Sequence, residues 1–265
     1  MSGPAITLTT DFGAASPYVA AMKGALLAVN PAAQLVDLSH ALPPQDLRWC
    51  SFFLRAALPY FPAGTLHVVV VDPGVGTARE VLYVETGGQQ LLVPDNGCWT
   101  ELARQSAAAP TVIRVTERRW WRPTVSSTFH GRDVFAPVAA YLSLGVPPAD
   151  LGPRATHWAE LSLAAPRVGS RGIDGEVVFV DDFGNLITNI AGEVLSAGRP
   201  AKVTVGEVPV GRAVRTYGEA EAGALVALVS SVGALEVAVV QGSAARKLAA
   251  VVGTPVRVEW SEAGA

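Results

Sequence analysis

The chain has 265 residues, half of them apolar and 16% charged, with a net charge of −3. That balance excludes disorder and supplies core material for one large domain or two modest ones. It carries no polyanion-binding signature, so neither nucleic acid nor a membrane surface is expected as a partner. The two cysteines, Cys50 and Cys98, do not make a disulfide framework and read as packed thiols. The chain enters a strand-like segment at once, without a basic stretch followed by a long apolar one, so no signal peptide is expected. The most apolar run, Val68 to Val71, is far shorter than the ~20 residues a bilayer requires. A cytoplasmic protein is the expectation.

In chain order, Ala5 to Thr9 reads as a strand. Ser16-Pro17 offers a capping hydroxyl and a proline at a helix start. Val19, Met22, Leu26 and Val29 then follow at helical spacing until Asn30-Pro31 stops the helix. Gln34 to Leu38 is a second strand. Leu47 to Leu58 is a second helix, with Leu47, Cys50, Leu54 and Leu58 on one face. Leu66 to Val71 is an unbroken run suited to a strand buried on both faces. Val81 to Val84 and Leu91 to Val93 are further strands. Arg118 to Thr128, with two tryptophans and no clear period, reads as a long functional loop, and Arg132 to Leu144 as a helix. This alternation predicts an α/β domain over residues 1–165, a largely parallel sheet with helices on both faces.

Pro166, Gly169, Gly172 and Gly175 suggest a linker. Short strands then dominate: Glu176 to Val180, Leu186 to Ile190, Lys202 to Val205, Leu225 to Val229, Leu235 to Val240 and Pro255 to Glu259. A short helix is expected around Ala244 to Val251. Residues 174–265 therefore read as an all-β domain of barrel or sandwich type.

Ligands of open α/β sheets bind beyond the carboxyl ends of the strands. Polar residues gather there: Asp11 after the first strand, Asp72 and Arg79 after the buried run, Asp95 and Asn96 after Leu91 to Val93, and His130 after the long loop. Each also has a plain structural reading. Asp95-Asn96-Gly97 is good turn chemistry, Asp11 and Asp72 can cap turns, His130 can be a satisfied structural histidine, and Asp133 suits a helix first turn. The glycines of Asp72 to Gly76 lack a Walker lysine or a dinucleotide fingerprint.

Five blocks together are more specific. Thr10-Asp11-Phe12-Gly13, Val71-Asp72-Pro73-Gly74-Val75-Gly76-Thr77 with Arg79, Pro94-Asp95-Asn96-Gly97, Phe129-His130-Gly131-Arg132-Asp133, and Asp181-Asp182-Phe183-Gly184-Asn185-Leu186-Ile187-Thr188-Asn189 resemble the S-adenosyl-L-methionine hydrolases. These are also called hydroxide adenosyltransferases and are relatives of the bacterial fluorinase and chlorinase. The resemblance runs from Ile6 to about Val258. It implies an α/β domain followed by a β-barrel, and a homotrimer with sites at subunit interfaces. It also implies S-adenosyl-L-methionine as substrate, cleaved to adenosine and methionine, with no cofactor and no metal. The family's water-activating residues match Asp72, Arg79 and His130. Asp11 matches the carboxylate that grips the ribose diol, Phe183 and Asn185 match adenine contacts, and Asp181 matches the residue holding the methionine amino group. Ser231 matches a serine near the methionine carboxylate. The chain departs from related patterns at Ser16, where an aspartate is common, at Val232, where the fluorinase has arginine, and at Val240, where asparagine is expected.

The chemistry agrees. A sulfonium makes methionine a neutral leaving group, so the difficulty lies in the nucleophile, water, whose pKa is ~15.7. Arg79 stays charged and cannot be the base. Its salt bridge weakens Asp72 as a base, which favours His130 or a shared relay. Three other functions are alternatives: a halide-using transferase, against which the presence of Asp72 and His130 argues; a metal-dependent hydrolase built on Asp11, Asp72, Asp95 and His130; and a non-catalytic adenosine or S-adenosyl-L-methionine sensor using the same ribose and adenine contacts.

Overall fold

Alternation along the strands sorts the apolar side chains of the first half onto two opposite faces, and a helix pair covers each. The computed structural model describes residues 5–195 and 201–260. The chain divides near residue 161 into two compact units.

The first unit contains β1 (Ile6–Thr10), α1 (Tyr18–Val29), β2 (Leu35–Ser39), α2 (Leu47–Ala57), β3 (Leu66–Val70), β4 (Val81–Thr86), β5 (Gln89–Pro94), α3 (Thr100–Gln105), β6 (Thr111–Arg114) and α4 (Ala136–Ser143). The sheet order is β2-β1-β3-β5-β4-β6. β1 pairs in parallel with β2 and β3, and β3 with β5, whereas β4 runs antiparallel to both β5 and β6. The sheet is thus mixed, because the short β4–β5 connection through Gly87-Gly88 makes a hairpin. Val68 and Val70 pack with Met22 and Leu26 of α1 and Val138 of α4 on one face. Val69 and Val71 pack with Cys50 and Leu54 of α2 and Leu102 on the other. A strand with both faces covered has to be apolar throughout, as this one is apart from His67.

Local chemistry departs from the sequence reading in two places, at Ser16 and at the start of the helix expected from Arg132. Ser16 does not cap α1. Its hydroxyl turns back to donate to Phe12 O at 2.7 Å and Gly13 O at 3.2 Å. Asp46 does cap α2, accepting from Trp49 N at 2.8 Å. The helix expected from Arg132 opens with a π-helical turn over Gly131–Phe135 before α4 begins, a wide turn often found at functional positions.

The second unit holds β7 (Arg167–Gly169), β8 (Gly172–Val180), β9 (Leu186–Ala191), β10 (Ala201–Val205), β11 (Val208–Pro209), β12 (Arg212–Ala213), β13 (Leu225–Val229), β14 (Ala234–Val239), α5 (Ala244–Leu248) and β15 (Pro255–Trp260). Its pairings run β11-β10-β15-β8-β9-β14-β13-β12, with β7 beside β8. Val177, Leu186, Leu235, Val237 and Val258 centre its main core. The glycines read as a linker are parts of strands. A Cβ on Gly172 would stand 2.1 Å from Val258 O, and one on Gly175 would stand 2.4 Å from Asn189 Oδ1. These glycines admit the close approach of neighbouring strands and do not confer flexibility.

His67, on β3, is fully buried between Thr7 and Gln89. Burial pushes its pKa down to about 4, opposed by the hydrogen bond to Gln89. The unfolded chain therefore takes up this proton first, and stability falls as pH drops from the ordinary 6.5 toward about 4. The loss attributable to His67 is roughly 3 kcal/mol. Urea unfolding across this range should show a shallower acid slope for His67→Gln than for the unaltered chain; parallel slopes would contradict the assignment.

Candidate active site

β3 delivers Asp72 two residues past its last strand position, into a tight loop. Val75 N bonds back to Asp72 O at 3.3 Å, Thr77 Oγ1 donates to Gly74 O at 2.7 Å, and Arg79 N donates to Thr77 Oγ1 at 3.3 Å. The loop thus returns Arg79 to Asp72. The Arg79 Nε lies 3.0 and 2.8 Å from the two Asp72 carboxylate oxygens, and its Nη2 also donates to Oδ2. The side chains are 9% and 4% exposed, so this pair is shielded from solvent screening. The guanidinium lies 5.8 Å from the ring centre of Phe135.

The same Nη2 is 2.9 Å from His130 Nδ1. Arginine only donates, so Nδ1 accepts and the imidazole proton resides on Nε2. Burial, and then the Arg79 charge, lower the His130 pKa, against smaller opposing effects of Asp72 and Asp133. His130 is therefore neutral at neutral pH. Asp72, Arg79 and His130 form one connected group, and a cleft of about 710 Å³ reaches Arg79 and His130, with Arg118, Trp121, Arg122 and Val125 also on its walls.

Two supports hold these loops together. Gly76 has φ +79°, and a Cβ there would lie 2.4 Å from Ser127 O, so only glycine lets the Asp72 loop meet the 118–130 segment. Asp133 is the second. It is fully buried and accepts from Arg132 Nε and Nη2 (both 2.7 Å), Arg122 Nη1 (2.9 Å) and Ser126 N (2.9 Å). Burial alone would raise its pKa, but these donors hold it at about 2. It does stand in a helix first turn, as its place in the sequence suggested, and it is also the hub of the long loop. The arginines at 122 and 132 gave no sign of which carboxylate they would share.

Asp11, at the end of β1, accepts from Gln45 N at 2.8 Å. Asp95 and Asn96 take the structural role: Asp95 accepts from Ala159 N at 2.7 Å, and Asn96 Nδ2 donates to Val71 O at 2.9 Å, tying down the end of β3. Among the described residues no three His, Cys, Asp or Glu side chains converge as a metal site, so Asp11, Asp72, Asp95 and His130 do not assemble into the ligand set considered above.

In the second unit, Asp181 organises the β8–β9 turn. It accepts from Phe183 N (3.0 Å), Asn185 N (2.8 Å) and Asn185 Nδ2 (2.9 Å). Those bonds push Phe183 outward, 78% exposed, while Asn185 is buried. Ser231 is exposed in the β13–β14 turn. Nearby on β14, Glu236 is buried and accepts from Tyr217 Oη, with burial raising its pKa. No sequence motif singled it out.

Residues 6–152 match the model of the SAM hydroxide adenosyltransferase N-terminal domain, and residues 175–257 match that of the C-terminal domain. The chain belongs to the SAM hydroxide adenosyltransferase family. Proteins named (R)-S-adenosyl-L-methionine hydrolase are similar along nearly the whole length. One from Salinispora arenicola is 41% identical, covering 97% of this chain and 98% of its own. One from Thermus thermophilus is 43% identical, covering 94% and 97%. A crystal structure of an uncharacterized conserved protein from Thermotoga maritima superposes with TM-score 0.89 at 34% identity, covering 96% of this chain and 99% of that one. A conserved hypothetical protein from Thermus thermophilus superposes with TM-score 0.79 at 41% identity, covering 96% and 99%. In this hydroxide adenosyltransferase chain, Asp72, Arg79 and His130 fall within the N-terminal match, and Asp181, Phe183, Asn185 and Ser231 within the C-terminal one.

Removing the Asp133 carboxylate strips three donors of their acceptor and should free the 118–130 loop. Trypsin should then cleave Asp133→Ala at Arg118 or Arg119 at least about 10-fold faster than the unaltered chain. Equal cleavage rates in a folded variant would show that Asp133 is not the hub.

Proposed function

We propose that this chain hydrolyses S-adenosyl-L-methionine to adenosine and L-methionine, by attack of a water-derived hydroxide on the ribose C5′. Water adds its oxygen to C5′, the C5′–sulfur bond breaks with its electron pair returning to sulfur, and one proton is released. The observation that carries this reading is the connected Asp72–Arg79–His130 group, in a family whose similar members bear the name (R)-S-adenosyl-L-methionine hydrolase.

The geometry favours particular roles. His130 Nδ1 is occupied by Arg79, which leaves Nε2–H as a donor toward the water oxygen. Reasoning from charge alone favoured His130 as proton acceptor; the Arg79 hydrogen bond turns that preference around. Asp72 then becomes the acceptor. A carboxylate offers about four lone-pair sites, and Arg79 does not use all of them. Arg79 orients both partners and stabilises negative charge developing on the water oxygen. A carboxylate acceptor suits this reaction, because the cationic sulfonium needs no protonation to leave and the barrier falls mainly through alignment of water, C5′ and sulfur.

Asp11 is assigned the ribose hydroxyls, Phe183 and Asn185 the adenine, and Asp181 and Ser231 the amino-acid end. Each rests on its motif position. The three bonds that Asp181 accepts within its own turn leave part of its carboxylate for an ammonium group. Ser16 bonds to its own loop, so it offers no carboxylate in place of the aspartate common in relatives. The domain assignment retained is an α/β domain carrying the water-activating residues and a β domain, with barrel closure, carrying adenine and methionine contacts. A homotrimer with shared sites, S-adenosyl-L-methionine as substrate and no cofactor belongs to the same proposal. Both cysteines are free and buried, which accords with a cytoplasmic setting. No helix among the described residues is long and apolar enough to cross a membrane.

Purified protein incubated with S-adenosyl-L-methionine should release adenosine and methionine in equal amounts. His130→Ala and Arg79→Lys should each lower kcat by on the order of 10²-fold or more, with smaller changes in substrate affinity. Unaltered turnover in either would sink the triad. Protonating His130 breaks its bond to Arg79, so activity is lost as pH falls through its pKa. Because burial and Arg79 lower that pKa, the acid limb of kcat/KM should lie below the ordinary imidazole value of 6.5. An acid limb above 6.5 would contradict the assigned tautomer and charge.

A further inference from the structure

A second chain of polar contacts, unused by the triad, converges on the Asp11 loop. Thr10 is fully buried, and its hydroxyl lies 2.9 Å from His40 Nδ1 while accepting from Phe12 N at 3.3 Å. His40 Nε2 stands 3.0 Å from Asp37 Oδ1, off the line of an ideal hydrogen bond, and Asp37 accepts from Lys23 at 2.5 Å. A carboxylate beside Nε2 favours the proton there, so Nδ1 is the acceptor and Thr10 the donor. The polarity is consistent from end to end: Phe12 N–H to Thr10 Oγ1, and Thr10 Oγ1–H to His40.

Backbone contacts reinforce it from the same segment. His40 O accepts from Gly13 N at 2.7 Å, and Gln45 N donates to Asp11 Oδ2 at 2.8 Å. Gln45 holds φ +63°, a left-handed conformation that a non-glycine residue adopts at a cost. Asp46, one residue on, caps α2. Residues 40–46 thus grasp the Asp11 loop at Thr10, Asp11 and Gly13, anchored by α2 on one side and by Asp37 and Lys23 on the other.

We propose that His40 and Gln45 are positioning residues for Asp11: together they set the direction of its carboxylate, and through it the enzyme's discrimination for a ribose carrying both hydroxyls. This rests on the reading of Asp11 as the ribose-gripping carboxylate. One Asp11 oxygen is spent on Gln45 N, so the other is the one aimed at the sugar. The strain at Gln45 is sustained because the structure holds this residue from both sides. His40 acts through Thr10 and makes no contact with substrate in this scheme.

The test compares dissociation constants for adenosine and 2′-deoxyadenosine by calorimetry. A charged hydrogen bond to the 2′-hydroxyl should make the unaltered protein prefer adenosine by at least about 10-fold. His40→Leu should bring that ratio to within about 3-fold of unity, as Asp11→Ala should, while kcat of His40→Leu at saturating substrate stays within about 3-fold of the unaltered value. Thr10→Val removes the same link with almost no change of shape, and should give the same collapse if His40→Leu folds poorly. His40→Asn, whose amide oxygen falls where Nδ1 stood and can accept from Thr10, should restore the ratio. A folded His40→Leu or Thr10→Val with an intact ratio overturns the proposal. No preference for adenosine in the unaltered protein overturns the ribose role of Asp11 itself, and with it the proposal, whatever the variants do.

Discussion

The Arg79 guanidinium is the element on which the site depends. It spans the Asp72 carboxylate and the His130 ring at once, and it does so from a loop only seven residues beyond Asp72. A lysine would supply the charge but not the planar fork that holds two partners at fixed angles. With the pair largely removed from water, the charge attraction is little screened and the removal of either partner would strand a shielded charge. The same contact decides protonation: a donor-only group against Nδ1 leaves His130 neutral with its proton outward. The direction of every proton in the proposed reaction therefore follows from one side chain.

The fold supplies the conditions for that contact. β3 is buried on both faces, so its end can move little, and Asn96 ties down Val71 O immediately before Asp72. His130 arrives from another direction, at the π-helical turn that opens into α4, and the buried Asp133 draws the long loop around it. Gly76 lets the two loops touch. On the other side of the parallel strands, Asp11 is held by the segment that leads into α2. Rigid strand ends thus carry the proposed catalytic residues, and loops braced by buried polar groups set their angles.

Much of this was legible in the sequence where a pattern has a single physical meaning. The unbroken run at Leu66 to Val71 announced a doubly covered strand, and the helical spacing of Leu47, Cys50 and Leu54 announced α2. Asp72, Arg79 and His130 were accessible as strand-end polar residues and as motif positions. What escaped notice depended on distant partners. Gly172 and Gly175 look like linker glycines unless Val258 and Asn189 are known to press against them. Asp133 is the helix first-turn residue it looks like, but its further role as loop hub shows only when Arg122 is known to fold back 11 positions. Thr111–Arg114 and Thr100–Gln105 are too short to show a period. The His130 tautomer, and with it the assignment of the base, is set by which nitrogen faces Arg79, and no linear pattern encodes that.

The central claim is that water, activated at Asp72–Arg79–His130, displaces methionine from C5′. Single turnover of S-adenosyl-L-methionine in ¹⁸O-labelled water, followed by mass spectrometry of the nucleoside, tests it most directly. The account predicts adenosine carrying one heavy oxygen at the 5′ position and unlabelled methionine. Adenosine without the label, or intact substrate bound to folded protein, would contradict it.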